Sequence, residues 1–202
     1  MNEHGIVRGG VLAVLIFSLT ACGTTSPTVG SGNVRYGDSK SVETVTNEFG
    51  STDLQTIAES MTRSLIQSKS IAGKPSKPLL TVAEVKNKTS EYIDTHAITD
   101  SIRAQLLKSG SVRFAVDTNA MQTQTDELMR QNQSGLYAKS KAKKIGKMEG
   151  ADYRLEGNIA SIVKRTSDVK DVYYKFSLLL IDNESGVIEW ADEKEIRKTS
   201  VR

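Results

Sequence analysis

Val172-Tyr173-Tyr174-Lys175-Phe176-Ser177-Leu178-Leu179-Leu180-Ile181-Asp182 runs into Asn183-Glu184-Ser185-Gly186 and then into Val187-Ile188-Glu189-Trp190. Tyr174, Phe176, Leu178 and Leu180 fall at every second position, the period of a strand with one buried face. Asn and Gly tolerate positive φ, so residues 183–186 read as a hairpin turn. Strands are also expected over about residues 152–163 upstream and 187–197 downstream. The chain is therefore expected to end in a three-strand antiparallel meander. In the first strand Leu155, Gly157, Ile159, Ser161 and Val163 share one side, and Arg154, Glu156, Asn158 and Ala160 the other. In the second, Tyr173, Lys175 and Ser177 oppose the apolar set. Arg154, Glu156, Asn158, Tyr173 and Lys175 mix aromatic, basic and polar types on one face, which suits a protein-binding patch. A half-solvated antiparallel sheet has the same composition.

Helical periods precede the meander. Thr52-Asp53-Leu54-Gln55 fits a capping box, and Leu54, Ile57, Met61 and Leu65 follow at helical spacing to about Ser68. Gly73, Pro75 and Pro78 break the chain before an apolar strand at 79–85. A second helix starts near Asp94 or Thr95 and ends at Gly110, with Ile98, Ile102, Leu106 and Leu107 as its buried stripe. A short strand at 112–116 leads to a third helix, capped by Asp117 or Thr118 and reaching about Gln131. A fourth helix is expected over 137–148, with Ala138, Ala142, Ile145 and Met148 inward. Its lysines, Lys139, Lys141, Lys143, Lys144 and Lys147, read as a solvated face; the other reading is a surface for an acidic partner, a membrane or the cell wall. Strand, helix, strand, helices and meander together predict an α/β fold: a single mixed-sheet α/β sandwich with helices packed on the sheet.

The N-terminal end is of another kind. Val11 to Leu19 is apolar apart from Ser18 and too short to cross a bilayer, which takes about 20 residues. With Arg8 before it and Thr20-Ala21-Cys22 after it, this reads as a lipoprotein signal peptide over 1–21, with lipid on Cys22. An ordinary secretory signal would leave Cys22, the chain's only cysteine, as a free reactive thiol. Gly23 favours the outer membrane, because lipoproteins kept in the inner membrane of Gram-negative bacteria usually carry Asp there. Residues 22–46 are expected to be a lipidated tether rich in Gly, Ser and Thr, with a short edge strand at 41–46. Residues 47–202 are expected to be the globular domain. Taken as extended chain, Gly23 to Gly50 spans at most about 90–100 Å.

Composition and motifs exclude several classes. A net charge of +3 over 202 residues is too weak to imply nucleic acid. His96 is the only histidine after Cys22, and no Cys/His spacing fits zinc. No Gly-x-Ser-x-Gly elbow or phosphate loop occurs, so neither a catalytic residue, a metal nor a cofactor is expected. A hydrolase built on paired carboxylates finds no pair that spacing selects.

Several stretches in order resemble one family. They are Pro78-Leu79-Leu80-Thr81-Val82-Ala83-Glu84-Val85-Lys86-Asn87-Lys88-Thr89, the passage from Ser140-Lys141-Ala142 to Gly150-Ala151-Asp152-Tyr153-Arg154-Leu155, and the last hairpin from Phe176 to Trp190. From about 47 to 197 the chain resembles the LpoB family, outer-membrane lipoprotein activators of bifunctional class A penicillin-binding proteins, with a fold like the N-terminal domain of TolB. The resemblance implies a non-enzymatic, monomeric activator that regulates cell-wall synthesis. It would dock on a periplasmic domain of the synthase while anchored in the outer membrane through Cys22. The alternative is an envelope adapter or secretion-type lipoprotein of the same fold on another periplasmic complex. Two features depart from the family: the tether is short and Pro-poor, and residues 164–172 make a long, charged connection between strands.

Overall fold

The computed structural model describes residues 37–201. The predicted signal peptide, Cys22 and most of the predicted tether lie outside them. From Asp38 the chain is one unit built on a five-stranded sheet of order β2-β1-β3-β4-β5. The elements are α1 (Ser51–Gln67), α2 (Lys69–Ala72), β1 (Leu79–Lys88), α3 (Thr95–Ser109), β2 (Arg113–Phe114), α4 (Thr118–Gln133), β3 (Tyr153–Arg165), β4 (Val169–Asp182) and β5 (Ile188–Val201). β1 is parallel to β2 and β3; β3, β4 and β5 are antiparallel. The mixed α/β sheet expected from the sequence is the fold observed.

Local chemistry sets the boundaries. The Gly50 N–H donates to Asp53 Oδ2 at 2.9 Å, so α1 is capped two residues earlier than Thr52. Asp94 Oδ1 accepts from the N–H groups of His96 and Ala97 at 2.9 and 3.3 Å and starts α3. Gly110 ends it at φ 70°, in the left-handed region that favours glycine. Asp117 caps α4 through the Ala120 N–H at 2.9 Å.

One sheet face holds the core. Leu155, Ile159, Tyr174, Phe176, Leu178 and Leu180 pack against Ile57, Met61 and Leu65 of α1 and Ile98, Ile102 and Leu106 of α3. Leu107, expected in the stripe of α3, is instead 47% exposed, while Thr99 is buried. Gly157 leaves no room for a side chain against β4. A Cβ there would sit 2.3 Å from the Ser177 carbonyl oxygen. Beside it β1 carries a bulge between Val82 and Val85.

The segment 38–50 enters without a strand. Residues 41–46 are irregular rather than the expected edge strand. Side chains hold the segment instead. Buried Asn47 donates Nδ2 to the Lys170 carbonyl at 3.0 Å and to Ser200 Oγ at 3.2 Å. Lys198 Nζ reaches Asp53 Oδ2 and the Glu48 carbonyl, both at 2.6 Å. The Glu91 carboxylate accepts from Tyr174 Oη at 2.7 Å and from the Phe49 N–H at 3.0 Å. The Phe49 ring meets that of Tyr174 edge-on at 5.8 Å.

Two further expectations are corrected. Residues 164–172 are no long connection. β3 and β4 run on as paired strands to Arg165 and Lys170, and a short turn closes at Thr166-Ser167-Asp168 through Thr166 N–H to the Val169 carbonyl, 2.8 Å. The fourth helix does not form. Residues 135–150 are turns and irregular chain, with Gly135 and Gly146 at φ 73° and 78°. Its intended stripe finds no partner: Ile145 is 61% and Met148 50% exposed. A basic twelve-residue stretch without a packing surface is too short to be helical on propensity alone.

Candidate partner-binding face

The helices α1 and α3 cover one face of the sheet, and none of the described helices packs over the other. That second face is read off the register. Arg154 stands across from Ile181, Glu156 from Leu179, Asn158 from Ser177, Ala160 from Lys175 and Ile162 from Tyr173. On β5, Glu193 stands across from Ser177, Glu195 from Lys175 and Arg197 from Tyr173. Because side chains alternate, all these residues share the open face. The five candidates Arg154, Glu156, Asn158, Tyr173 and Lys175 are thus brought together on two adjacent strands, each half-buried.

Ion pairs along and across the strands organise this face. Lys175 Nζ lies 3.1 Å from Glu193 Oε1, which also accepts from Ser177 Oγ at 3.2 Å. Arg154 pairs with Glu156 and donates Nη1 to Asn183 Oδ1 at 3.1 Å. Arg197 holds Asp171 with two hydrogen bonds, 3.1 and 2.7 Å, and Thr199 Oγ1 adds a third at 2.9 Å. The Arg197 guanidinium, then Thr199, keep the Asp171 carboxyl below the usual carboxylate range. The Glu195 carboxylate, by hydrogen bonding, raises the Tyr173 phenol above its ordinary value. Exposed pairs of this sort contribute little energy each. Their effect is to fix the outline and charge pattern of the face before anything docks.

The sequence reading missed part of it. Ile162 is 59% exposed beside Tyr173, and Glu193, Glu195 and Arg197 form the third row. Extending the alternation to the end of β3 would have found Ile162; the row on β5 has no apolar alternation to mark it. β4 is 14 residues long. At ~3.4 Å per residue and ~4.8 Å between strands, the three strands β3, β4 and β5 present about 700 Å². One partner in a standard interface buries about 800 Å².

The described residues hold no group of three or more His, Cys, Asp or Glu side chains placed to bind a metal. A cleft of about 350 Å³ beside the β1 bulge collects Glu84, His96, Thr99, Arg103 and Asp117. There Asp117 is committed to capping α4, and Arg103 to Asp100 at 2.8 Å. His96 is exposed in the first turn of α3.

Comparison with known proteins follows this geometry. No curated protein matches the chain. Among solved structures, the LpoB C-terminal domain from Escherichia coli is 19% identical, covering 72% of this chain and 99% of its own, with a TM-score of 0.44. The corresponding domain from Salmonella enterica is 21% identical, covering 72% and 96%, at 0.40. A lipoprotein from Neisseria meningitidis is 16% identical over 61% and 84%, also at 0.40. Residues 53–196 match the sequence model of the family described as "Peptidoglycan-synthase activator LpoB", and the chain belongs to that family.

Proposed function

We propose that this protein is an outer-membrane lipoprotein, anchored through lipid on Cys22, that binds a bifunctional class A penicillin-binding protein and raises its synthetic rate. The family match over residues 53–196 carries this reading. The open sheet face supports it, with Arg154, Glu156, Asn158, Tyr173 and Lys175 as the docking residues. The part from residue 47 onward does the binding, and residues 22–46 serve as its tether. Activation needs no catalytic group on this chain. An activator shifts a synthase only by binding its more active state more tightly, and a tenfold shift takes about 1.4 kcal/mol of differential affinity.

The test is glycan-strand polymerisation by the class A synthase of the same organism, with and without residues 23–202. A several-fold rise is expected, lost on combined alanine substitution of Arg154, Glu156, Tyr173 and Lys175. If neither rate nor binding changes for any class A synthase of the cell, the reading fails and the chain is an adapter for another envelope complex.

A further inference from the structure

The segment from Gly135 to Gly150 is a second surface, independent of the synthase reading. Lys139, Lys141, Lys143, Lys144 and Lys147 are all exposed, and none forms an ion pair among the described residues. No acidic residue lies between Glu127 and Glu149 in sequence. Those two are already engaged, Glu127 with Arg130 and Glu149 with Arg113. Apolar side chains are interleaved with the lysines: Leu136 is 80% exposed, Ile145 61% and Met148 50%. The segment is held to the domain at Lys143, where Asn132 Nδ2 donates to its carbonyl at 2.9 Å and its N–H donates to Gln131 Oε1 at 3.0 Å, at Tyr137, whose ring lies 5.2 Å from the Arg130 guanidinium, and at its end, where Glu149 pairs with Arg113 at 2.7 Å and Met148 lines a cleft with Val116 and Met121. Between these points residues 138–141 and 143–147 are exposed.

We propose that this segment docks on the surface of an anionic phospholipid bilayer. Two observations select that occupant. Unpaired lysines in this density match a surface of negative headgroups. Exposed Leu136, Ile145 and Met148 gain nothing against a hydrophilic polymer such as the cell wall, but they have an apolar layer to enter beneath headgroups. The protein leaves Leu136 and Ile145 largely in water, and a membrane interface offers them an apolar layer.

The test uses residues 23–202, which carry the whole compact unit and no lipid. Co-sedimentation is compared between vesicles of phosphatidylcholine alone and vesicles with an equal part of phosphatidylglycerol. Each lysine near such a surface raises partition roughly fivefold at low salt. With only some of the five in contact, anionic vesicles should bind at least about tenfold better. Changing all five lysines to glutamine should abolish the preference while the thermal melt stays unchanged. Leu136→Ser with Ile145→Ser should weaken binding and leave less of it resistant to salt. Equal binding to both vesicles, or an unaltered preference in the glutamine variant, overturns the proposal. Lysine-dependent binding to purified cell-wall sacculi, with none to anionic vesicles, also overturns it and assigns the segment to the wall.

Discussion

Tyr174→Phe removes one oxygen from the centre of the fold and leaves the ring in place. Tyr174 is fully buried, and its hydroxyl donates to the Glu91 carboxylate at 2.7 Å. A hydrogen bond to a charged acceptor contributes about 1.5–3 kcal/mol. Glu91 keeps the Phe49 N–H and is half-exposed to water, which points to the lower part of that range, about 2 kcal/mol. For a domain of this size that is a loss of about 4–8 °C in Tm. The effect carries a pH signature. Burial, then the Glu91 carboxylate, hold the Tyr174 phenol well above its ordinary value. The folded state therefore favours the protonated phenol, while the unfolded chain ionises near pH 10. Tyr174 contributes fully below about pH 10 and loses its contribution as pH rises, by about 1.4 kcal/mol at pH 11. Urea unfolding at pH 7, 9, 10 and 11 should show the cost of Tyr174→Phe near 2 kcal/mol at the first two and well under 1 kcal/mol at the last. A cost below about 0.5 kcal/mol at pH 7, or one that does not shrink with pH, refutes the account of this bond.

Gly157→Ala should destabilise by about 2–3 kcal/mol in urea, because its Cβ would meet the Ser177 carbonyl, a backbone atom that cannot swing aside. A neutral result would show that β3 and β4 can part at that point. Lys198→Met should cost about 3 kcal/mol by leaving the Asp53 carboxylate, 4% exposed, without its ion partner. Adding Asp53→Asn should return a good part of that loss; if it returns none, the pair is not what Lys198 contributes.

Wherever a local pattern had a surface to act on, it was legible. The period of β4 gave both the core face and the open face, and Asp94 and Gly110 bounded α3 as their chemistry requires. The failures share one cause. Ala138, Ala142, Ile145 and Met148 have a helical period, but no second layer lies against them, and periodicity cannot report what a chain will pack on. The alternating residues 41–46 likewise find no neighbour strand. Glu43 accepts from the Ser51 N–H at 2.9 Å, and Thr52 Oγ1 takes the Glu43 N–H at 2.8 Å, so local side-chain bonds replace a ladder. The candidate face was read from two strands, while its third row on β5 was not. Trp190, Asp192, Lys194, Ile196 and Lys198 point inward there as a half-buried, mostly polar set, so the strand lacks the apolar alternation that marks β4.

Reach is set by how the chain is fastened ahead of α1. Asn47 Nδ2, Lys198 Nζ, the Glu91 carboxylate and Thr52 Oγ1 grip it through separate side-chain bonds, with no strand ladder. A pull from the N-terminal side loads these bonds one after another rather than all at once, and the sheet behind them stays whole. Peeling residues 38–49 away would release about 40 Å of chain at ~3.4 Å per residue. If residues 22–46 act as the proposed tether, this length folded against the domain is a reserve that tension would draw out and that would be taken back when the tension falls.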